Sequence, residues 1–162
     1  MSHLKSWAKD GLTVLINDHS PYIDVIAKYN YREFKLLLEY SHDSAFIEDI
    51  QGNNYDSGLQ GKGIGSLLVN TAIQVLRKKL PIDSLISGQM SDVGDPIESV
   101  LLKRCQQHRS AFWASFGFNI QPGMAGHEKI RALLSDLKVK ENGLTLDKFP
   151  RFIPLSDFVE QE

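Results

Sequence analysis

Gln60-Gly61-Lys62-Gly63-Ile64-Gly65-Ser66 is the stretch on which the fold turns. Gly61, Gly63 and Gly65 stand at every second position. Backbone without Cβ shielding lets successive N–H groups converge on one anion. A helix follows at once. Ile64, Leu67, Leu68, Ala72, Val75 and Leu76 recur with the spacing of an amphipathic helix, and Leu80 lies just beyond. Arg77, Lys78 and Lys79 close it, where the helix dipole favours positive charge, and Pro81 stops it. A glycine loop that opens a helix adds the partial positive charge of the helix N-terminus, an arrangement that suits a diphosphate. Two diphosphate loops are excluded by spacing. A Walker loop requires Ser or Thr after Gly-Lys, and Gly63 stands there instead. A dinucleotide fingerprint requires G-x-G-x-x-G, and these glycines run G-x-G-x-G.

Upstream of the loop the pattern is that of strands. Leu12 to Ile16 is apolar and partly β-branched, and ends in the turn-forming cluster Asn17 to Pro21. Tyr22 to Tyr29 is a second strand, Phe34 to Tyr40 a third and Ala45 to Gln51 a fourth. Downstream, Ile82 to Ser87 is a short strand. Asp95-Pro96 then starts a second helix, with aspartate as N-cap and proline in the first turn; it runs to about Phe116 and ends at Gly117. Phe118 to Ile120 begins another strand, and Ile130, Leu133, Leu134 and Leu137 have the spacing of a third helix. The tail, residues 144–162, is predicted to pack as an irregular or strand-like arm. Strand–helix–strand in the middle implies a parallel pair between antiparallel strands, hence a mixed, mostly antiparallel α/β sheet flanked by helices.

The bulk numbers narrow the class. A chain of 162 residues is one domain's worth, 1–162, with enough length to bury a core. Its 42% hydrophobic and 23% charged residues describe a soluble globular protein. A net charge of −2 argues against nucleic-acid binding through a basic face. No apolar run approaches the roughly 20 residues of a membrane span, so no membrane partner is expected. The single cysteine, Cys105, rules out an intramolecular disulfide and a cysteine-based zinc site, and a reducing, cytoplasmic setting fits. Cys105 is expected in the core. His108 lies three residues on, too little for a metal site, and His19, His42 and His127 fall in predicted loops.

The motif Gln60-x-x-Gly63-x-Gly65 resembles the acetyl-CoA loop of the GNAT superfamily of N-acetyltransferases. A second segment, Arg109 to Phe118, is similar to that family's other signature, an aromatic-rich helix end followed by Gly-Phe and a strand. The two occur in the family's order, and the likeness covers roughly Ala45 to Ile120. It implies a GNAT-like sheet whose central parallel strands splay apart to admit the pantetheine arm of acetyl-CoA. By that likeness the backbone of Ile50, Gln51 and Gly52 holds pantetheine and the acetyl carbonyl, and Gly52 suits the bulge that starts the splay. Gln60, Gly61, Lys62, Gly63, Ile64, Gly65 and Ser66 hold the pyrophosphate.

The family's reaction is direct attack of an amine on the thioester, which needs a neutral amine and a donor for the oxyanion. Ile47-Glu48-Asp49-Ile50 resembles the segment of polyamine-type members whose glutamate is the base, and Glu48 takes that position, on the strand face of Phe46 and Ile50. Two departures stand out. Trp113 replaces a tyrosine that serves many members as general acid, and indole N–H cannot supply a proton; Gln106 stands earlier in this helix where many members have Asn. The helices that usually wall the acceptor site are missing or cut down to Ser6–Asp10, which leaves that pocket open or completed by the tail or a second subunit. The expected function is acetyl transfer to a small-molecule or peptide amine; the alternative is a non-catalytic module that keeps the fold and CoA binding. The aromatic tail further suggests a homodimer.

Overall fold

The computed structural model describes residues 3–48, 50–51, 63–90, 99–121, 128–141 and 150–161. Five strands come first: β1 (His3–Lys9), β2 (Leu12–His19), β3 (Tyr22–Tyr29), β4 (Arg32–Tyr40) and β5 (Ser44–Ile47). Helix α1 (Ile64–Lys79), β6 (Leu85–Gln89), α2 (Ser99–Ala114), β7 (Asn119–Gln121), β8 (Lys129–Leu133) and β9 (Val159–Gln161) follow. All nine strands form one sheet, in the order β7-β8-β6-β5-β4-β3-β2-β1-β9. Among the described residues only β5 and β6 pair in parallel; every other pair is antiparallel. The class is therefore mixed α/β, mostly antiparallel, as the sequence predicts.

Period-two patterning explains the first sheet half. Leu12, Val14 and Ile16 on β2, Ile23, Val25 and Ala27 on β3, and Phe34, Leu36 and Leu38 on β4 all face inward and are buried. The hairpin turns are short. Lys9 faces Leu12 across Asp10-Gly11, and Tyr29 faces Arg32 across Asn30-Tyr31; all four turn residues have positive φ, the twist that matches strand twist. Helix α1 lies on this inner face, with Ile64, Leu67, Leu68, Ala72, Ile73 and Leu76 fully covered.

Both helices occupy the same face. Trp113 of α2 packs edge-on against Phe118, which has the parity of Ile120, the partner of the inward-facing Ile130. The predicted helix-flanked sheet is thus, among the described residues, a sheet with both helices on one face. This follows from handedness: the crossovers β5–α1–β6 and β6–α2–β7 move the same way across the sheet, so right-handed connections put both helices on one side. On the other face, Leu15, Ile26, Leu37, Phe46 and Leu133 are all partly or well exposed.

Other sequence expectations need correction. Of the residues predicted as a remnant of an N-terminal helix, Ser6–Asp10, all but Asp10 belong to strand β1, and Asp10 opens its hairpin turn. The predicted third helix over 130–137 is strand β8 followed by a single 3-10 turn, Leu134–Asp136. β8 gives β6 an antiparallel partner, and Lys129 and Arg131 alternate with the buried Ile130 and Ala132. The short strand begins at Leu85, not Ile82, which is exposed. The predicted start of the second helix at Asp95-Pro96 lies outside the described residues.

The arm does pack as irregular chain ending in a strand. Asn70, fully buried on α1, donates to the carbonyls of Arg151 (2.7 Å) and Lys140 (3.2 Å) and accepts from the Lys140 N–H (2.7 Å). One turn on, Gln74 donates to the Ile153 carbonyl and accepts from the Leu155 N–H, both at 2.8 Å. The arm then lays β9 against β1 at the sheet edge. Its Ile153 and Phe158 are buried in this chain's own core rather than offered to solvent.

Candidate functional site

The site is built where β5 and β6 part. They pair through four rungs, from Ser44 opposite Leu85 to Ile47 opposite Gly88. Beyond Ile47 the chain stays with β4: the Glu48 N–H donates to the Leu37 carbonyl, and Gln51 exchanges two hydrogen bonds with Lys35 at 2.8 and 2.9 Å. From Leu38 to Lys35, β4 advances three residues while the facing segment advances four, from Ile47 to Gln51. The extra residue is a β-bulge, which bends the chain away. It falls before Gln51, earlier than the predicted Gly52, which lies outside the described residues. On the other side β6 stays with β8: Gln89 faces Lys129, and the Met90 N–H donates to the Glu128 carbonyl at 2.8 Å. The described parallel pairing thus ends at Ile47–Gly88, and from there the hydrogen bonds fork like a V, each chain following its outer neighbour.

Helix α1 points its N-terminus at the mouth of that V. Its last turn, with Lys79, sits beside Asp18 and Tyr40, and Tyr40 faces Ala45 near the start of β5. The first turn therefore lies at the other end, where β5 stops. The carboxyl ends of parallel strands are where open α/β sheets bind ligands. The helix begins with Gly63 in the left-handed region (φ 89°), a conformation glycine adopts without cost. The first intrahelical bond runs from the Leu67 N–H to the Gly63 carbonyl, so the N–H groups of Ile64, Gly65 and Ser66 have no acceptor within the helix. Among the described residues no side chain caps this end and no acidic residue lies in its first turn, although Ile64, Gly65 and Ser66 are all buried. A buried, uncapped, acid-free N-terminus is electrostatically suited to an anion.

Of the predicted residues, Ile50 and Gln51 follow β5, and Gly63, Ile64, Gly65 and Ser66 open α1. Ile50 is half-buried against the core, Gln51 is exposed. Gly52, Gln60, Gly61 and Lys62 lie outside the described residues, as do Asn53 to Tyr55. Glu48 is exposed beside the bulge, with the parity of Phe46 on the helix-free face.

Two protein comparisons bear on the chain. No protein-family model matches it, and no curated protein matches it either.

The wall formed by α2 differs from expectation. Trp113 is only 2% exposed, locked edge-on between Phe112 (5.3 Å) and Phe118 (5.6 Å). It is a core residue. Gln106, two turns earlier on the same stripe, keeps a buried amide nitrogen without a hydrogen-bond partner among the described residues. Cys105 is half-buried rather than in the core, and His108 is exposed. Among the described residues no group of three or more His, Cys, Asp or Glu is placed to hold a metal, and no helix is long and apolar enough to cross a membrane. His19, predicted in a loop, ends β2 and bonds to Asp24 at 2.9 Å.

The segment before the arm contributes a group that motif reading missed. Lys140 lies 4.2 Å above the Phe116 ring and 5.3 Å from that of Phe112, so this segment also touches α2. Burial pushes its ammonium below the usual lysine range, and the nearby Arg151 charge pushes the same way.

Proposed function

We propose that the chain is an acetyl-CoA-dependent N-acetyltransferase of the GNAT type, acting on a primary amine. One observation carries this reading: a parallel strand pair opens at a bulge directly before the uncapped, glycine-started N-terminus of the helix that follows it. The end of the β5–β6 pairing leaves backbone groups with which a slender chain such as pantetheine would pair. The helix start fits the diphosphate at the end of that chain. Bound there, acetyl-CoA supplies an acetyl thioester for transfer to the amine nitrogen.

The protein's own part is to orient and deprotonate. Glu48 sits at the bulge on the face that lacks helices, so its carboxylate is reachable by an acceptor amine arriving from that side. As a base it takes the ammonium proton before attack. Trp113 takes no part in proton delivery to the leaving sulfur, which falls to water. That feature favours a second reading, a GNAT-fold module that binds CoA without catalysis.

Thermal denaturation with acetyl-CoA tests the shared core of both readings. At a hundred times its dissociation constant the ligand adds about 2.7 kcal/mol to stability. No shift at saturating acetyl-CoA or CoA removes both. A thiol-release assay over a panel of amines and short peptides then separates enzyme from module.

A further inference from the structure

Lys140 and Arg151 come from segments on either side of residues 141–150, yet one buried side chain holds them together. Asn70 bonds to the backbone of both, and is itself fully buried. The junction thus forces two positive charges into proximity. Their proximity is unfavourable in itself, and the Lys140 ammonium is partly desolvated as well. Among the described residues neither has a carboxylate partner. The two aromatic rings under Lys140 offset part of its cost. The Nε of Arg151 is buried with no hydrogen-bond partner among the described residues. A buried guanidinium nitrogen left without an acceptor is costly.

The position narrows what would repay this cost. Asn70 lies on α1 six residues after Ile64, about 9 Å along the axis at the usual helical rise. Ser66, one turn earlier than Asn70, shares its helix face and belongs to the uncapped first turn. The pair therefore stands downstream of the V, between α1 and α2. A guanidinium fork beside an ammonium is the donor set that recognises phosphate oxygens.

We infer that Lys140 and Arg151, bridged by Asn70, form a phosphate-binding site built by the C-terminal arm and the segment before it. The inference needs a phosphoryl group, not catalysis, and two sources carry that chemistry: a phosphate of CoA, or a free phosphate ligand. If the source is CoA, it rests on the function proposed above.

The test is calorimetric titration of the full chain with CoA, 3′-dephospho-CoA and inorganic pyrophosphate. Three variants are compared with the parent: Lys140→Met, which keeps a long stem over the rings; Arg151→Gln, which keeps a polar end; and Lys129→Met, which removes one charge from an exposed strand position. Loss of one charged donor is expected to weaken binding about tenfold or more. A parent preference for CoA over 3′-dephospho-CoA, lost in both site variants but kept in Lys129→Met, assigns the pair to the 3′-phosphate. Equal weakening of both CoA forms assigns it to the diphosphate. Pyrophosphate binding weakened by the site variants, with no CoA binding in the parent, keeps the phosphate site and overturns the proposed function. The inference fails if the site variants, melting cooperatively, bind every ligand as the parent does. It also fails if the parent binds none of the three, or if Lys129→Met weakens binding as much as they do.

Discussion

Gly88 stands so close to Ile47 that a Cβ built on it would lie 2.6 Å from the Ile47 carbonyl oxygen. This is the last rung before β5 and β6 separate. The closest approach of the parallel pair and the start of its opening are thus the same place. An added methyl would also meet the Ile130 side chain at 3.1 Å, but that side chain can rotate. The carbonyl cannot, because it is backbone. Gly88→Ala is therefore expected to force the strands apart one rung early and to cost about 1–3 kcal/mol, the range for overpacked cores. Urea unfolding measures it; an unchanged midpoint would show that β5 yields freely.

Asn70→Ala removes three hydrogen bonds from a fully buried position. The Lys140 N–H and the Arg151 carbonyl then lose their partners on α1. At about 1–3 kcal/mol for a group left unsatisfied, a loss of at least 2 kcal/mol is expected. Limited proteolysis reports where: cleavage should begin in the arm, near residues 140–151, before the sheet is cut. Cleavage spread evenly over the chain would contradict this.

The Lys79–Asp18 ion pair gives a pH signature. Its hydrogen bond to Asp18 raises the Lys79 ammonium above the usual lysine value of 10.5, and partial burial opposes this more weakly. Because the folded value is the higher, the contribution is complete below the unfolded value and is lost as pH climbs through the folded one. Lys140 behaves oppositely. Its folded value is depressed, so its charge opposes folding at neutral pH and that cost is relieved as pH rises towards 10.5. The stability gap between the parent and Lys79→Met should shrink above about pH 10. The parent should gain on Lys140→Met as pH rises toward the same range. Parallel trends in the two comparisons would refute the assignment.

Glu48→Gln tests the proposed base without disturbing the frame, since Glu48 is tied to β4 through its backbone N–H rather than its side chain. Turnover is expected to fall by about 100-fold or more, with the acid limb of the pH profile displaced and CoA affinity retained. Unchanged turnover in an active protein takes Glu48 out of the mechanism.

Several elements were legible because a single period dominates them. Leu12, Val14 and Ile16 alternate, and Ile64, Leu67, Leu68 and Ala72 step round a helix; strands β2 to β4 and helix α1 fall where these patterns put them. β1 hid because Ser6 to Lys9 alternates weakly, although Asp10-Gly11 is itself a hairpin signal. Residues 130–137 carry both periods at once. There the strand won because β6 needs a partner, which is a tertiary fact. The helix start of the candidate site was readable from Gly63 and Gly65. The bulge before Gln51 was not, since one extra residue leaves no mark on composition. Lys140 and Arg151 were invisible for a different reason: Asn70, which unites them, is 70 and 81 positions away.

The pairing of Leu4 with Gln161 has a mechanical consequence. β1 and β9 run antiparallel, so tension applied to the two ends of the described chain loads their hydrogen bonds one after another, like a zipper, instead of all together in shear. Such a seam yields at low force. Its opening would peel the arm back towards Leu155 and Ile153, and then lift Arg151 from Asn70. Helix α1 would lose its outer strap while the antiparallel strands β2 to β4 beneath it were still intact.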